Sequence, residues 1–283
     1  MRIIQGTTDF RLPRTGLGTA VAIGKFDGVH LGHQKIISAL LEQKKNGLIP
    51  VIFTFEPDPA AFFSGRNLPK LTSKQEKRAL FERLGIEILI EFPLTEESAA
   101  IPPERFITEY LVERMGARFV AAGSDLSFGA RGAGNVRLIQ EEGAPLGLCV
   151  QILQKMRFEP LGIEISSSAV RSEIFQGNVQ VAAALLGRNY SLLVEECRGS
   201  DVSSIYNVKF SLEKIIPAAG VYDALLLDAE SGESLSSCSV RILPGESFAH
   251  SAEIHIEEKT PSFHNMKKNV QLAFLKKTEV END

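Results

Sequence analysis

Two histidines, His30 and His33, are the residues with the clearest chemical potential, because imidazole groups donate hydrogen bonds to anions. They end the stretch VAIGKFDGVHLGH, in which an apolar run breaks at Gly24 and a helical pattern begins near Leu31. This order predicts a strand, a turn and a helix N-terminus, where free backbone N–H groups and the helix dipole favour phosphate. Histidines there can stabilise charge that develops on a phosphorus centre in a transition state.

The spacing of the two histidines also allows a partial metal site or a pair of surface histidines. The turn that contains Asp27 and Gly28 directly after an apolar strand favours the anion site over both. Neither the phosphate-loop motif G-x-x-x-x-G-K-S/T nor the dinucleotide motif G-x-G-x-x-G occurs at this junction. The stretch instead resembles the H-x-G-H signature of the nucleotidyltransferase superfamily.

The composition of the 283 residues, with 44% hydrophobic and 23% charged residues, is that of a soluble globular protein. A net charge of −4 argues against a nucleic-acid partner, and no run approaches the roughly 20 apolar residues of a membrane span. Cys149, Cys197 and Cys238 are scattered, which predicts reduced thiols. We therefore expect a cytoplasmic protein without a secretory signal. Nothing in the sequence indicates the oligomeric state.

Apolar runs alternate with helical patterns through the first two thirds of the chain, which predicts an α/β fold with a Rossmann-like parallel sheet. The expected strands are residues 20–23, 49–55, 86–92, 117–123 and 149–153. Each crossover between neighbouring strands should be right-handed. Ligands of such sheets bind outside the carboxyl ends of the strands.

Aromatic residues crowd the end of the second expected strand, in the stretch FTFEPDPAAFF. Phe53, Phe55, Phe62 and Phe63 could surround a flat apolar ligand, or they could fill the core. A later stretch, GSDLSFGARGAGN, carries four glycines with Asp125. Its backbone could be shaped around a ligand, or it could be an ordinary mobile surface loop.

Ser166, Ser167 and Ser168 precede a helix that we expect to begin near Ala169, with Arg171 in its first turn. One serine is explained as an N-cap. Three hydroxyl groups with a guanidinium resemble a second phosphate site. The chain then has two helix N-termini suited to bind an anion, which favours this functional interpretation over a well-capped helix alone.

The pattern changes near Gly187, after which short strands alternate with Gly, Ser and Pro. Strands of this length with little helix predict a small antiparallel β-barrel. We therefore predict two domains, residues 1–186 and residues 187–283.

Four stretches together carry a family resemblance: IGKFDGVHLGH, FTFEPDP, GSDLSFG and ISSSAVRSEI followed by ALLGRNY. In this order and at these separations, they resemble the bacterial bifunctional riboflavin kinase/FAD synthetase family over residues 15–190. The resemblance implies that the first domain is an FMN adenylyltransferase. It implies ATP and FMN as substrates, Mg2+ that accompanies ATP, and FAD and pyrophosphate as products.

The same resemblance implies a role for each matched residue. The implied catalytic residues are His30, His33 and Arg171. The implied ATP-binding residues are Gly24, Lys25, Phe26, Asp27, Gly28, Ser167 and Ser168. The implied flavin-binding residues are Phe55, Pro57 and Asp125, and no residue is assigned as a metal ligand.

The chain departs from the family pattern at a few positions. Lys25 stands where asparagine is frequent, and Asp58 stands where histidine is frequent. Leu126 and Ser127 replace an expected Phe-Arg pair. These departures leave the adenylyl-transfer chemistry in place and alter details of FMN binding.

The second domain resembles the family's riboflavin kinase barrel in part. IIPAAGVYDALLLD matches a family strand, and Asn207 lies ten residues before Pro217, as in the family's G-F-P-T-A-N motif. The chain has Ile205 where the family has a threonine that meets magnesium and phosphate, and it shows no counterpart of the R-x-E segment with the catalytic glutamate. An aliphatic side chain cannot replace a hydroxyl ligand, so we predict that the kinase activity is lost.

Two other functions remain open from the sequence. The first is a nucleotidyltransferase that acts on another phosphorylated acceptor. The second is a flavin-binding or regulatory protein without catalysis.

Overall fold

The structure is a computed structural model in which the chain divides into two compact units. The first unit comprises Met1–Leu68 and Lys74–Arg157, and the second comprises Pro69–Ser73 and Phe158–Asp283. The structure describes residues 1–13, 17–66, 69–200, 205–210, 213–243, 251–256 and 270–278.

The first unit contains a parallel sheet of six strands in the order β1-β4-β3-β2-β5-β8, which confirms the predicted α/β fold class. A separate short hairpin is formed by β6 and β7. The strands are β1 (Arg2–Gln5), β2 (Thr19–Ile23), β3 (Ile49–Glu56), β4 (Ile88–Pro93), β5 (Ala117–Gly123), β6 (Ser127–Phe128), β7 (Gly134–Asn135) and β8 (Cys149–Leu153).

The helices of this unit occur between successive sheet strands in the sequence. They are α1 (Leu31–Glu42), α2 (Pro59–Ser64), α3 (Lys74–Arg83), α4 (Glu96–Ala99), α5 (Pro103–Arg105) and α6 (Val136–Gly143). A π-helix follows α5 directly over Phe106–Arg114. Short 3-10 turns occupy Gln43–Asn46, Ala130–Gly132 and Ala144–Leu146.

Alternate residues of β2 face two separate apolar clusters, because successive side chains of a strand point to opposite faces of the sheet. Val21 and Ile23 belong to a cluster that includes Phe106 of the π-helix. Ala20 and Ala22 belong to a second cluster that includes Leu40 of α1. Helices therefore cover both faces, which explains why β2 is buried along its whole length.

Strand β2 lies at the point where the direction of winding through the sheet reverses. The chain passes from β2 through α1 to β3 on one side, and it later returns to β5 on the other side of β2. The carboxyl ends of β2, β3 and β5 therefore share one edge at a switch point. Open α/β sheets bind their ligands at such a point.

The glycine-rich stretch after β5 forms the β6–β7 hairpin, which neither sequence-based interpretation had anticipated. A Cβ atom at Gly129, where φ is +70°, would lie 2.9 Å from atoms of Pro103. A Cβ atom at Gly134 would lie 2.7 Å from both Pro103 and the Phe128 ring. These two glycines therefore allow the hairpin to pack closely against the start of α5.

The second unit contains a closed barrel of six strands in the order β11-β12-β15-β14-β13-β16, as the sequence predicted. Neighbouring strands are antiparallel throughout. The two-residue strands β9 and β10 pair with each other before it. The strands are β9 (Arg157–Phe158), β10 (Ile163–Glu164), β11 (Ser191–Ser200), β12 (Ile205–Phe210), β13 (Gly220–Asp228), β14 (Ser234–Ile242), β15 (Ser251–Ile256) and β16 (Val270–Thr278).

Helices α7 (Ser167–Gln176) and α8 (Val179–Leu186) belong to the same compact unit as the barrel. The backbone N–H of Ala218 donates to the carbonyl of Ile174 at 3.4 Å. The boundary between the two compact units, after Arg157, therefore lies upstream of Gly187, where the sequence pattern changes to short strands. In the part of the chain that the structure describes, no helix has the length and apolar character needed to span a membrane.

Candidate active site

The turn between β2 and α1 adopts an unusual backbone conformation. Phe26, Gly28 and Val29 have φ angles of +53°, +83° and +42°. This region is easy for glycine and unfavourable for Phe and for a β-branched residue such as Val. Phe26 and Val29 are nevertheless held there, because both side chains are buried in the apolar cluster beneath α1. Strain of this kind, imposed by packing, is typical of sites that bind ligands.

The two histidines lie at the N-terminus of α1, as predicted. His30 is the N-cap, and its Nδ1 accepts a hydrogen bond from the backbone N–H of His33 at 3.3 Å. The two imidazole rings are stacked, with centroids 3.7 Å apart and an interplanar angle of 20°. The Phe26 ring lies 5.1 Å from the His33 ring. The cap bond and the stacking fix both rings where the helix N–H groups emerge.

His33 carries a buried nitrogen without a partner. Its Nδ1 is buried and makes no hydrogen bond within the described residues. Burial, followed by the nearby charges of His30 and Lys77, lowers the pKa of His33 well below its usual value. The ring is therefore neutral at pH 7. A buried polar atom without a partner is unfavourable by about 1–3 kcal/mol, which a ligand that bonds to it would offset.

Lys77 of α3 is a residue that the sequence analysis did not single out. Its Nζ donates to the carbonyl oxygen of Lys25 at 3.4 Å, and the hydroxyl of Thr54 donates to the same oxygen at 3.3 Å. The turn is thus held by one bond from β3 and one bond from α3. Helical spacing alone cannot show which loop of the fold a side chain of α3 reaches.

A buried ion cluster joins α3 to the sheet. Glu91 of β4 accepts two hydrogen bonds from Arg78 at 2.8 and 2.6 Å, and Lys74 lies 3.2 Å away. Burial acts to raise the pKa of Glu91, but the hydrogen bonds from Arg78 and Lys74 outweigh it and lower the pKa. The cluster fixes α3, and with it Lys77.

The predicted flavin-binding residues follow β3 and β5. Phe55 is half-buried, with its ring 5.5 Å from that of Phe53, which is fully buried in the core. Pro57 is exposed, and Asp125 forms an ion pair with Lys155 at 3.3 Å. By contrast with Phe53, the Phe63 side chain at the end of α2 is 70% exposed. The aromatic cluster therefore divides into core residues and residues that remain accessible.

The second group of predicted ligands lies on α7, in the second compact unit. Ser166 is the N-cap, and its hydroxyl accepts from the N–H of Ala169 at 3.2 Å. The helix begins at Ser167, two residues earlier than expected, so Ser167 and Ser168 are its first two residues and Arg171 is its fifth. The expectation that Arg171 lies in the first turn was therefore wrong. Three adjacent serines can each serve as an N-cap, and the sequence alone did not identify the one that does.

Among the described residues, no group of three or more His, Cys, Asp or Glu side chains is placed to hold a metal ion. The arrangement in the first unit thus offers backbone N–H groups, two imidazole rings and lysines. Such groups bind anionic oxygens and need no activated nucleophile of the protein.

Comparison with known proteins agrees with this chemistry. A family model described as FAD synthetase matches residues 13–169. A bifunctional riboflavin kinase/FMN adenylyltransferase of Buchnera aphidicola subsp. Schizaphis graminum is 31% identical over 250 residues, which cover 86% of this chain and 79% of that protein. The Escherichia coli K12 protein of the same description is 30% identical over 230 residues, which cover 78% and 72% of the two chains.

A crystal structure of a Streptococcus pneumoniae protein described as a macrolide-efflux protein has the same fold. It superposes with a TM-score of 0.85 at 21% identity, and the match covers 100% of this chain and 91% of that one. The family match spans more than half of the chain, and it includes the turn, both histidines and the start of α7. The chain therefore belongs to the FAD synthetase family.

Proposed function

We propose that this chain is an FMN adenylyltransferase, which joins FMN to the AMP part of ATP and gives FAD and pyrophosphate. The observation that carries the proposal is the stacked pair His30 and His33, held at the N-terminus of α1 at the switch point of the sheet. Membership of the FAD synthetase family indicates the reaction, and an anion-binding site at this position suits that reaction.

In the proposed reaction, a phosphate oxygen of FMN attacks the α-phosphorus of ATP, and the bond to pyrophosphate breaks. Charge develops on the phosphate oxygens, and no covalent intermediate with the protein is needed. His30 and His33 would stabilise this charge by hydrogen bonds. The turn residues Gly24 to Gly28 would hold the phosphates through their backbone, because glycine and left-handed conformations turn N–H groups toward an anion.

We assign the remaining residues as follows. Ser167 and Ser168 would bind phosphate oxygens through hydroxyl and N–H groups at the start of α7, and Arg171 would neutralise charge. Phe55, Pro57 and Asp125 would contact the flavin. We also propose that the adenylyl-transferring domain extends over residues 1–186.

Mg2+ would enter the site bound to ATP. The donors of the first unit are mostly neutral or cationic groups, which do not suit a hard cation, whereas the phosphates of ATP do. The magnesium ion would neutralise the phosphate charge. The use of ATP and the free state of all three cysteines favour a cytoplasmic location.

We also propose that the barrel lacks riboflavin kinase activity. Ile205 and Asn207 alternate with the buried Tyr206 and Val208, so both point to the outer face of β12. Ser203 and Ser204, which complete the altered motif, lie outside the described residues. An isoleucine on this face cannot bind Mg2+ or a phosphate through a hydroxyl group.

One end-point assay tests these proposals together. The full chain is incubated with Mg2+ and ATP plus FMN, riboflavin or another phosphorylated acceptor, and the products are separated by chromatography. We expect FAD and pyrophosphate from FMN, and no FMN from riboflavin. Transfer of AMP to another phosphorylated acceptor but not to FMN would show that the substrate is not the flavin. Binding of FMN and ATP without pyrophosphate release would favour the regulatory alternative, and FMN formed from riboflavin would overturn the loss of kinase activity.

A further inference from the structure

An ion pair joins Lys25, in the turn after β2, to Asp58, the N-cap of α2. The Nζ of Lys25 lies 3.8 Å from Oδ1 of Asp58, at the start of α2. The same Oδ1 accepts a hydrogen bond from the backbone N–H of Ala60 at 2.8 Å and so caps α2. The pair thus links the turn after β2 to the segment after β3.

This ion pair is weak by its geometry. The Lys25 side chain is 52% exposed and that of Asp58 is 29% exposed. Exposed pairs at such a distance contribute little, because water and salt screen them. An ammonium group binds phosphate oxygens more strongly than it holds a long, partly solvated contact with one carboxylate. The Lys25 side chain can therefore exchange Asp58 for an anionic ligand.

The backbone around Lys25 does not share this freedom. Its carbonyl oxygen is held by Thr54 and Lys77, and the turn is fixed by the buried Phe26. An incoming phosphate would thus meet a rigid turn on which the Lys25 side chain can change partner. After that exchange, the charge of Asp58 would remain close to the bound anion and repel it.

We propose that Asp58 is a competing counter-ion for Lys25, which the phosphates of ATP must displace and which therefore weakens the binding of ATP. This inference rests on the proposed function, because it takes the turn after β2 as the site of the phosphates. It makes Asp58 a residue that sets nucleotide affinity, in addition to its role as the cap of α2.

The test is the affinity for ATP with Mg2+, measured by calorimetry at low salt on the full chain without FMN. Asp58→Asn removes the charge and keeps the capping oxygen, since asparagine is an equally good N-cap. We expect Asp58→Asn to tighten ATP binding about two- to fivefold. We expect Lys25→Met to weaken it, and Asp58→Asn to bring a smaller gain when Lys25→Met is also present.

Asp9→Asn is the matched control, because it changes the net charge equally and Asp9 instead pairs with Arg114. It should leave the affinity for ATP unchanged. The gain from Asp58→Asn should shrink at high salt and fall in the order ATP, ADP, AMP.

If the wild type binds ATP and Asp58→Asn does not bind it more tightly, the inference is overturned and the proposed function stands. An equal gain in the Lys25→Met background would also overturn it, since the gain would then not pass through Lys25. A wild-type chain that binds no ATP would overturn the proposed function itself.

Discussion

The buried Nδ1 of His33 makes this residue the most informative single position in the chain. Its pKa lies below the usual value because burial, His30 and Lys77 all disfavour the protonated ring. A neutral imidazole keeps one N–H donor and one acceptor, so the site can bind phosphate oxygens without a change of protonation near pH 7. The residue type and spacing were evident from the sequence, but the stacking and burial needed the structure.

The depressed pKa of His33 predicts how stability depends on pH. The unfolded chain protonates His33 near its ordinary pKa of about 6.5, whereas the folded chain keeps it neutral to lower pH. The unfolded state thus binds more protons, and the free energy of unfolding falls as pH drops through 6.5, by at most about 1.4 kcal/mol per pH unit. NMR titration of the His33 ring should show a midpoint well below 6.5.

His33→Gln provides the control for this prediction. It removes the titrating group, so its denaturant unfolding should change less between pH 7.5 and pH 5.5 than that of the wild type. A His33 ring that titrates near 6.5 in the folded protein would contradict the account of its burial.

At the scale of elements, the ion cluster around Glu91 determines where α3 lies. Arg78→Met should destabilise the chain by roughly 2–4 kcal/mol, because it leaves a buried carboxylate with fewer partners. Arg83→Met, at an exposed position of the same helix, should change the free energy of unfolding by less than about 0.5 kcal/mol. Urea unfolding compares the two, and equal effects would show that the cluster does not hold the helix.

At the start of α7, one serine has a structural role and the next two are proposed to bind phosphate. Ser166→Ala removes the N-cap and should lower stability by about 1 kcal/mol, as measured by urea unfolding. Ser172→Ala, on the exposed side of the same helix, should be neutral or slightly stabilising. Ser168→Ala should instead raise the KM for ATP with little change in stability. A large loss of stability with Ser168→Ala would assign that serine to the helix and not to the ligand.

The elements themselves were predicted well where their patterns are long. Helix α1 begins at Leu31 as expected, because the apolar spacing after His33 continues over three turns. The π-helix over Phe106–Arg114 was not expected, since its buried residues also fit an ordinary helical stripe. The β6–β7 hairpin was also not expected, because its close contact, Pro103, is distant in sequence.

At the scale of the whole molecule, the alternation of strands and helices followed by short strands was enough to predict both architectures. The sequence did not predict that α7 and α8 form one compact unit with the barrel. Helical periodicity shows that a helix has an apolar face, but it does not show which sheet covers that face. In the structure, the backbone N–H of Ala218, two residues before β13, donates to the carbonyl of Ile174 and so links α7 to the segment that leads into the barrel strand.

The central claim is that the chain transfers the AMP part of ATP to FMN at the His30–His33 site. The direct measurement is the rate at which label passes from the α-phosphate of ATP to FAD. His33→Ala is compared with the wild type, and His255→Ala, an exposed histidine of the barrel, is the control.

We predict labelled FAD from the wild type and from His255→Ala at similar rates. His33→Ala should be slower by a factor of about 100 to 1,000, because it removes a group that stabilises charge in the transition state. An unchanged rate with His33→Ala, or no labelled FAD from the wild type, would contradict the account.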